Sequence, residues 1–223
     1  MNRNMGTSPR IYTPEGTVYG TLLNFGRERD QWAAQMGAVP YKAPPKAPVL
    51  YVKTANTFSA SGKAVPVPPQ VPQVEIGASL GMVMGASGQP EGFVLLNDFS
   101  VPHSSFFRPP VKFKCLDGFL GVGSQAVEAA LLRDPASVQL EVRVNGALVQ
   151  TVDFAGLVRN AANLLADVTD FMALTQGDVL MLGCDSLPGG GRPMARVGDR
   201  VGISSPSHPA LGVLANTLIV EAT

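Results

Sequence analysis

The apolar runs in this chain are short, and glycine or proline interrupts or closes most of them. The 24 glycines and 19 prolines make up about a fifth of the 223 residues. Both continue a regular element poorly, because glycine gives up the most backbone freedom on folding and proline has no amide to donate. Such a chain does not sustain a helical bundle, but it readily links many short strands through tight turns. Runs rich in β-branched, aromatic and aliphatic residues predict strands over 17–25, 49–53, 74–84, 93–98, 140–144, 148–154 and 179–182, with others near Val201 and over 218–220. Asn145-Gly146, set between two alternating runs, signals a tight hairpin.

Two helices are expected. A short one runs from Arg27 to Met36 and stops at Gly37. A long one covers 155–173, where Leu157, Ala161, Leu164, Val168 and Phe171 recur at helical spacing. The proline-dense stretches 39–48 and 65–72 read as extended connectors. Residues 1–16 lack periodicity and read as an N-terminal tail, which leaves 17–223 as one α+β, mainly β domain.

Composition removes several classes of function. The 17 basic and 17 acidic residues cancel, and charged residues form 15% of the chain, against roughly 25% in average soluble proteins. No basic surplus is available for nucleic-acid phosphates or an anionic membrane, so neither is expected as a partner. Cys115 and Cys184 are too few for a disulfide framework or a cysteine-built zinc site. The opening text is polar, and no run approaches the roughly 18 apolar residues of a membrane span. A cytoplasmic protein is expected. His103 and His208 are isolated, each beside a proline, and support neither a hydrolase triad nor a zinc pair.

Several segments, in order, carry a family resemblance. They are Leu23-Asn24-Phe25 opening the short helix, Pro48-Val49-Leu50-Tyr51-Val52-Lys53, Leu96-Asn97-Asp98, Arg108-Pro109, Lys112-Phe113-Lys114-Cys115-Leu116-Asp117-Gly118-Phe119, Val144-Asn145-Gly146 and Gly177-Asp178. Together they cover most of residues 17–221, and the chain resembles the fumarylacetoacetate hydrolase family. The resemblance implies a mixed β-roll with one long helix, usually dimeric. The segments 40–46 and 157–165 look most like members of 4-hydroxyphenylacetate catabolism. Those members decarboxylate 5-oxopent-3-ene-1,2,5-tricarboxylate and isomerise the resulting 2-hydroxyhepta-2,4-diene-1,7-dioate. A small dicarboxylate or tricarboxylate is therefore the expected substrate.

The resemblance also assigns site residues. Active members hold Mg²⁺ with a Glu-x-Glu on one strand and an Asp on the next, because alternate strand positions share a face and Mg²⁺ takes oxygen ligands. Here Gly77 and Ser79 stand in the glutamate positions, and Asp98 is the one remnant ligand. The expected cofactor is accordingly none, or weakly held Mg²⁺. Glu75 shares the strand parity but lies about 6.6 Å early, so it would need a bulge or a bridging water to serve.

Glu28 and Gln31 align with the family's acid/base pair on the short helix. Glu28 is either a proton carrier with a burial-raised pKa or an exposed first-turn charge. Lys114 and Asp117 match the family's lysine and aspartate. Lys114 either meets a substrate carboxylate, with Lys112 on the same face of an extended segment, or pairs internally with Asp117. Arg108 either clamps a carboxylate or forms a surface pair. Cys184 replaces a threonine.

Three functions remain open. The chain is a subunit with a decayed metal site working beside a paralogous chain, a metal-independent enol–keto isomerase acting alone, or a non-catalytic homodimer that binds a dicarboxylate.

Overall fold

The structure is a computed structural model describing residues 11–39, 42–104 and 111–222. It opens with β1 (Val18–Leu22), α1 (Gly26–Met36), β2 (Val49–Lys53), β3 (Phe58–Ala60), β4 (Ala64–Val67), β5 (Val74–Glu75), β6 (Ala78–Met84) and β7 (Pro90–Asp98). The middle carries α2 (Val111–Lys114), β8 (Leu120–Glu128), α3 (Ala129–Leu132), β9 (Gln139–Val144), β10 (Ala147–Asp153) and α4 (Ala161–Thr169). It closes with β11 (Val179–Met181), β12 (Met194–Ala195), β13 (Arg200–Ser204) and β14 (Val213–Val220).

A seven-stranded sheet in the order β2-β1-β11-β6-β7-β8-β3 and a five-stranded sheet in the order β10-β9-β13-β14-β4 form the body, with β12 and β5 pairing separately. The main core cluster draws Leu80, Met82 and Leu95 from the larger sheet and Leu140, Val142, Ile203 and Leu214 from the smaller one. This is the mainly β, α+β architecture expected. Phe25 and Phe154 meet edge to face at 5.4 Å and tie the start of α1 to the end of β10.

The expected 74–84 strand is two strands. β5 leaves to pair with β12, and β6 starts after Gly77, whose carbonyl accepts from the Asp98 amide at 2.8 Å. Gly77 thereby sits opposite Asp98. The 65–72 connector holds a strand at its start, β4, which pairs in parallel with β14. Pro66 is tolerated because β4 is an edge strand. β8 escaped the pattern because Gly121, Gly123 and Ser124 interrupt its apolar alternation.

The expected 155–173 helix is shorter than its spacing predicted. Asp153 caps a 3₁₀ turn at Phe154–Gly156, Leu157 bridges Phe25, and the Asn160 side chain caps α4 by accepting from the Asn163 amide at 2.8 Å. Phe171 lies beyond the helix and is exposed. The Asn145-Gly146 hairpin forms as predicted, with both residues at positive φ. Residues 11–16 lie against the fold, the Tyr12 amide bonding the Ser124 carbonyl at 2.9 Å and the Gly16 amide the Gly177 carbonyl at 3.0 Å. Among the described residues no helix is long and apolar enough to cross a membrane.

Candidate active site

Strand β2 carries two polar side chains inward. Tyr51 and Lys53 alternate with Val52, so they share the buried face while Val52 remains 44% exposed. Tyr51 fits because its register partner is Gly20, where a Cβ would run into the phenol ring. The end of β7 brings Asp98, and the last residue of α2 brings Lys114.

These four groups converge. The Lys114 ammonium donates to Asp98 Oδ2 at 2.6 Å, and the Tyr51 hydroxyl donates to the same oxygen at 2.5 Å. Lys53 Nζ lies 3.0 Å from Asp98 Oδ1 and also donates to the carbonyls of Lys114 and Phe119. Lys114 Nζ stands 5.2 Å from the Tyr51 ring centre. Burial by itself would raise the Asp98 pKa, but the two ammonium groups outweigh it and hold the carboxyl well below the usual range. Burial pushes Lys53 downward, against the pull of Asp98. Burial, with Asp98 adding to it, pushes Tyr51 well up, so its phenol stays a donor.

A second grouping joins α1 to the 185–192 loop. Glu28, on the first turn of α1, is buried; it accepts from the Leu23 amide at 2.7 Å and pairs with Arg192 at 3.1 Å. Burial raises its pKa against the opposing pull of Arg192. The reading of Glu28 as an exposed first-turn charge therefore does not hold. Gln31 accepts from the Ser186 hydroxyl at 2.8 Å and the Gly191 amide at 3.0 Å. Arg27 pairs with Asp185. Three side chains of α1 thus bind the 185–192 loop.

The remaining sequence candidates fall differently. Segment 111–114 is a helical turn rather than extended, and positions two apart on a helix do not share a face. Lys112 is exposed while Lys114 is buried, so the expected two-lysine face does not form. Asp117 is exposed and accepts from Asn56 Nδ2 at 2.6 Å; Lys114 pairs with Asp98 in its place. Arg108 lies outside the described residues. Burial pushes the Cys184 thiol up to about 12, which leaves it protonated and poorly nucleophilic.

A profile described as fumarylacetoacetate (FAA) hydrolase C-terminal matches residues 17–219. The chain belongs to the fumarylacetoacetate hydrolase family. It is 34% identical over 211 residues to the 4-hydroxyphenylacetate degradation bifunctional isomerase/decarboxylase of Escherichia coli, covering 88% of this chain and 46% of that protein. It is 27% identical over 152 residues to the human mitochondrial oxaloacetate tautomerase FAHD2A, covering 62% of this chain and 48% of that protein. The chain spans about half the length of these curated relatives. The crystal structure of 5-carboxymethyl-2-hydroxymuconate delta-isomerase from Mycobacterium smegmatis matches with a TM-score of 0.72 at 22% identity, over 96% of this chain and 81% of that one. That likeness shows the shared fold.

A divalent ion of the family type does not fit the residues present. A Cβ at Gly77 would stand 2.5 Å from the Asp98 carbonyl oxygen, which leaves no room for a carboxylate arm. The Ser79 hydroxyl is spent on the Gly183 carbonyl at 2.7 Å. Both Asp98 oxygens face ammonium groups. Glu75 sits across from Met194 in the β5–β12 pair, and among the described residues no three His, Cys, Asp or Glu side chains converge on a point.

Tyr51, Lys53 and Arg192 do not stand out as site residues in the sequence. A lysine closing a β-branched and aromatic strand is the available signal for Lys53. Arg192 follows a glycine run and has no periodicity to mark it.

Proposed function

We propose that this chain is a subunit of the 2-hydroxyhepta-2,4-diene-1,7-dioate isomerase and 5-oxopent-3-ene-1,2,5-tricarboxylate decarboxylase of 4-hydroxyphenylacetate catabolism. It works in the cytoplasm, as a homodimer or beside a paralogous chain with an intact Glu-x-Glu. One observation carries the reading. Lys53 and Lys114 hold both oxygens of Asp98, and Gly77 and Ser79 stand where the family's metal ligands would be, so this chain needs a partner that keeps the intact ligand set. The 34% identity to a stretch of about half of the bifunctional isomerase/decarboxylase supports a place in the same chemistry.

The test follows ultraviolet absorbance of both substrates with the pure chain, in Mg²⁺ and in EDTA, and then with the paralogous chain added. Decarboxylation only in the mixture is expected. Magnesium-dependent decarboxylation by this chain alone would overturn the reading.

A second reading is favoured by Glu28, a buried carboxyl whose pKa burial raises. Isomerisation moves one proton from the 2-hydroxyl to C5 of the dienoate, with no net gain or loss, and a carboxyl whose pKa burial raises suits that transfer. Under this reading the chain isomerises alone in EDTA, and Lys114→Ala abolishes turnover. Unchanged turnover in that variant would refute it.

A further inference from the structure

Leu23-Asn24-Phe25, the text that opens α1, grips the buried carboxyl of Glu28 from an unexpected direction. Glu28 is the third residue of α1, and Phe25 is its N-cap. An acid at that position ordinarily reaches back to the amide of the N-cap residue. Here Glu28 Oε2 passes Phe25 and accepts from the Leu23 amide, two residues earlier, at 2.7 Å. Leu23 stands at φ 61° as it donates, in the left-handed region that a residue with a Cβ enters only against a steric penalty.

The next residue keeps it there. Asn24 is buried, and its side chain is bonded at both ends. Nδ2 donates to the Leu182 carbonyl at 2.8 Å and to the Arg159 carbonyl at 3.1 Å, and Oδ1 accepts from the Arg159 amide at 2.9 Å. The Asn24 carbonyl accepts from the Val158 amide at 2.8 Å, and Phe25 bridges Leu157. Gly183 makes room for this approach, since a Cβ there would stand 3.3 Å from Asn24 Cβ. A strained backbone conformation persists only where its surroundings over-determine it, and two separate segments, 157–159 and 182–183, do so here. The other oxygen of the carboxyl, Glu28 Oε1, pairs with Arg192 at 3.1 Å. Burial raises the pKa of Glu28, and Arg192, the Leu23 amide and Lys114 pull it back. The Cys184 thiol is the other titratable group on which the Glu28 charge acts.

We propose that Asn24 is a positioning residue for Glu28: locked onto Leu182 and Arg159, it holds Leu23 left-handed, aims the Leu23 amide at Oε2 and so fixes the carboxyl with Oε1 toward Arg192. This deepens the reading in which Glu28 carries the proton of the isomerisation, and rests on it.

The test is the titration of Glu28 by nuclear magnetic resonance in the full chain, labelled with carbon-13 at glutamate Cδ, with Glu28→Gln assigning the resonance. Asn24→Ala releases Leu23, and the Glu28 midpoint should rise, because the lost amide bond favoured the ionised form. Adding Leu23→Gly to Asn24→Ala should bring the midpoint part of the way back, because glycine takes positive φ freely, even as the urea midpoint falls further with the buried leucine gone. A merely structural role for Asn24 would move the two readouts together. A folded Asn24→Ala chain with the wild-type Glu28 midpoint, or no return in the double variant, overturns the proposal. If Asn24→Ala does not fold, Leu23→Gly by itself decides: an unmoved Glu28 midpoint supports the proposal, and a shifted one shows that the leucine side chain, not Asn24, holds the amide. In turnover, Asn24→Ala should lower kcat for isomerisation in EDTA about tenfold at unchanged KM, the scale of one hydrogen bond to a charged group. A shifted midpoint with no isomerisation by the wild-type chain would sink the functional reading and leave the positioning standing. Isomerisation by the wild-type chain with an unmoved midpoint in Asn24→Ala would do the reverse.

Discussion

Two charged groupings make up the candidate site, and they are built by opposite rules. Asp98, Lys53, Tyr51 and Lys114 are carried by β2, β7 and α2 and are all buried. Tyr51, Lys53 and Asp98 are held by strand ladders, and Lys114 reaches them from a helical turn. The second grouping joins α1 to the 185–192 loop through the side chains of Arg27, Glu28 and Gln31. Arg27 is 40% exposed, and the sheets would keep their ladder bonds if this contact opened. The site is therefore rigid on one border and yielding on the other. The first grouping is built on strands and a helical turn, whereas the second rests on side-chain contacts between a helix and a loop.

The largest effect expected is at Asp98. Asp98→Ala leaves two buried ammonium groups without their counter-charge and should cost about 3–5 kcal/mol of stability by urea unfolding. Its pH signature has a definite sign. The folded pKa lies below the unfolded value near ~3.9, so the stabilisation is complete at neutral pH and is lost as pH falls through the acid range. A wild-type urea midpoint that stays flat on acidification would contradict a charged Asp98.

Lys53→Met should cost less, about 2 kcal/mol, because Asp98 keeps Lys114 and Tyr51 while the carbonyls of Lys114 and Phe119 lose a donor. An equal loss in both variants would mean that Lys53 and Lys114 do not share the carboxylate.

Glu28 should behave in the opposite sense to Asp98. Its folded pKa is raised, so the folded state holds its proton longer than the unfolded chain does. Stability linked to Glu28 is full below the ordinary glutamate pKa of ~4.3 and declines as pH rises through the raised folded value. Glu28→Gln should flatten that stretch of the urea-midpoint profile; an unaltered profile would place Glu28 in water. Arg27→Ala, at a half-exposed pair, should cost only about 0.5 kcal/mol. A loss comparable to that of Lys53→Met would erase the distinction between the two groupings.

Much of this is legible in the sequence, for identifiable reasons. Short apolar runs bounded by proline and glycine mark the sheets, and Asn145-Gly146 marks its hairpin, because such signals act over neighbouring residues. The loss of metal ligands is legible at Gly77 and Ser79 through the family resemblance. Helical spacing overstates the 155–173 helix because it ignores a local cap, and Asn160 ends the competition at that residue. The 111–114 turn reverses the parity that an extended segment would have, which separates Lys112 from Lys114. Arg192 is beyond local reading altogether: it pairs with Glu28, 164 residues away in sequence.

The ammonium groups of Lys53 and Lys114 hold both Asp98 oxygens, which leaves no place there for a divalent ion. The most direct measurement is Mn²⁺ binding to the pure chain at neutral pH, followed by electron paramagnetic resonance of the free ion. No stoichiometric uptake is expected, in wild type and in Asp98→Asn alike. Uptake of one Mn²⁺ per chain, abolished by Asp98→Asn, would contradict it.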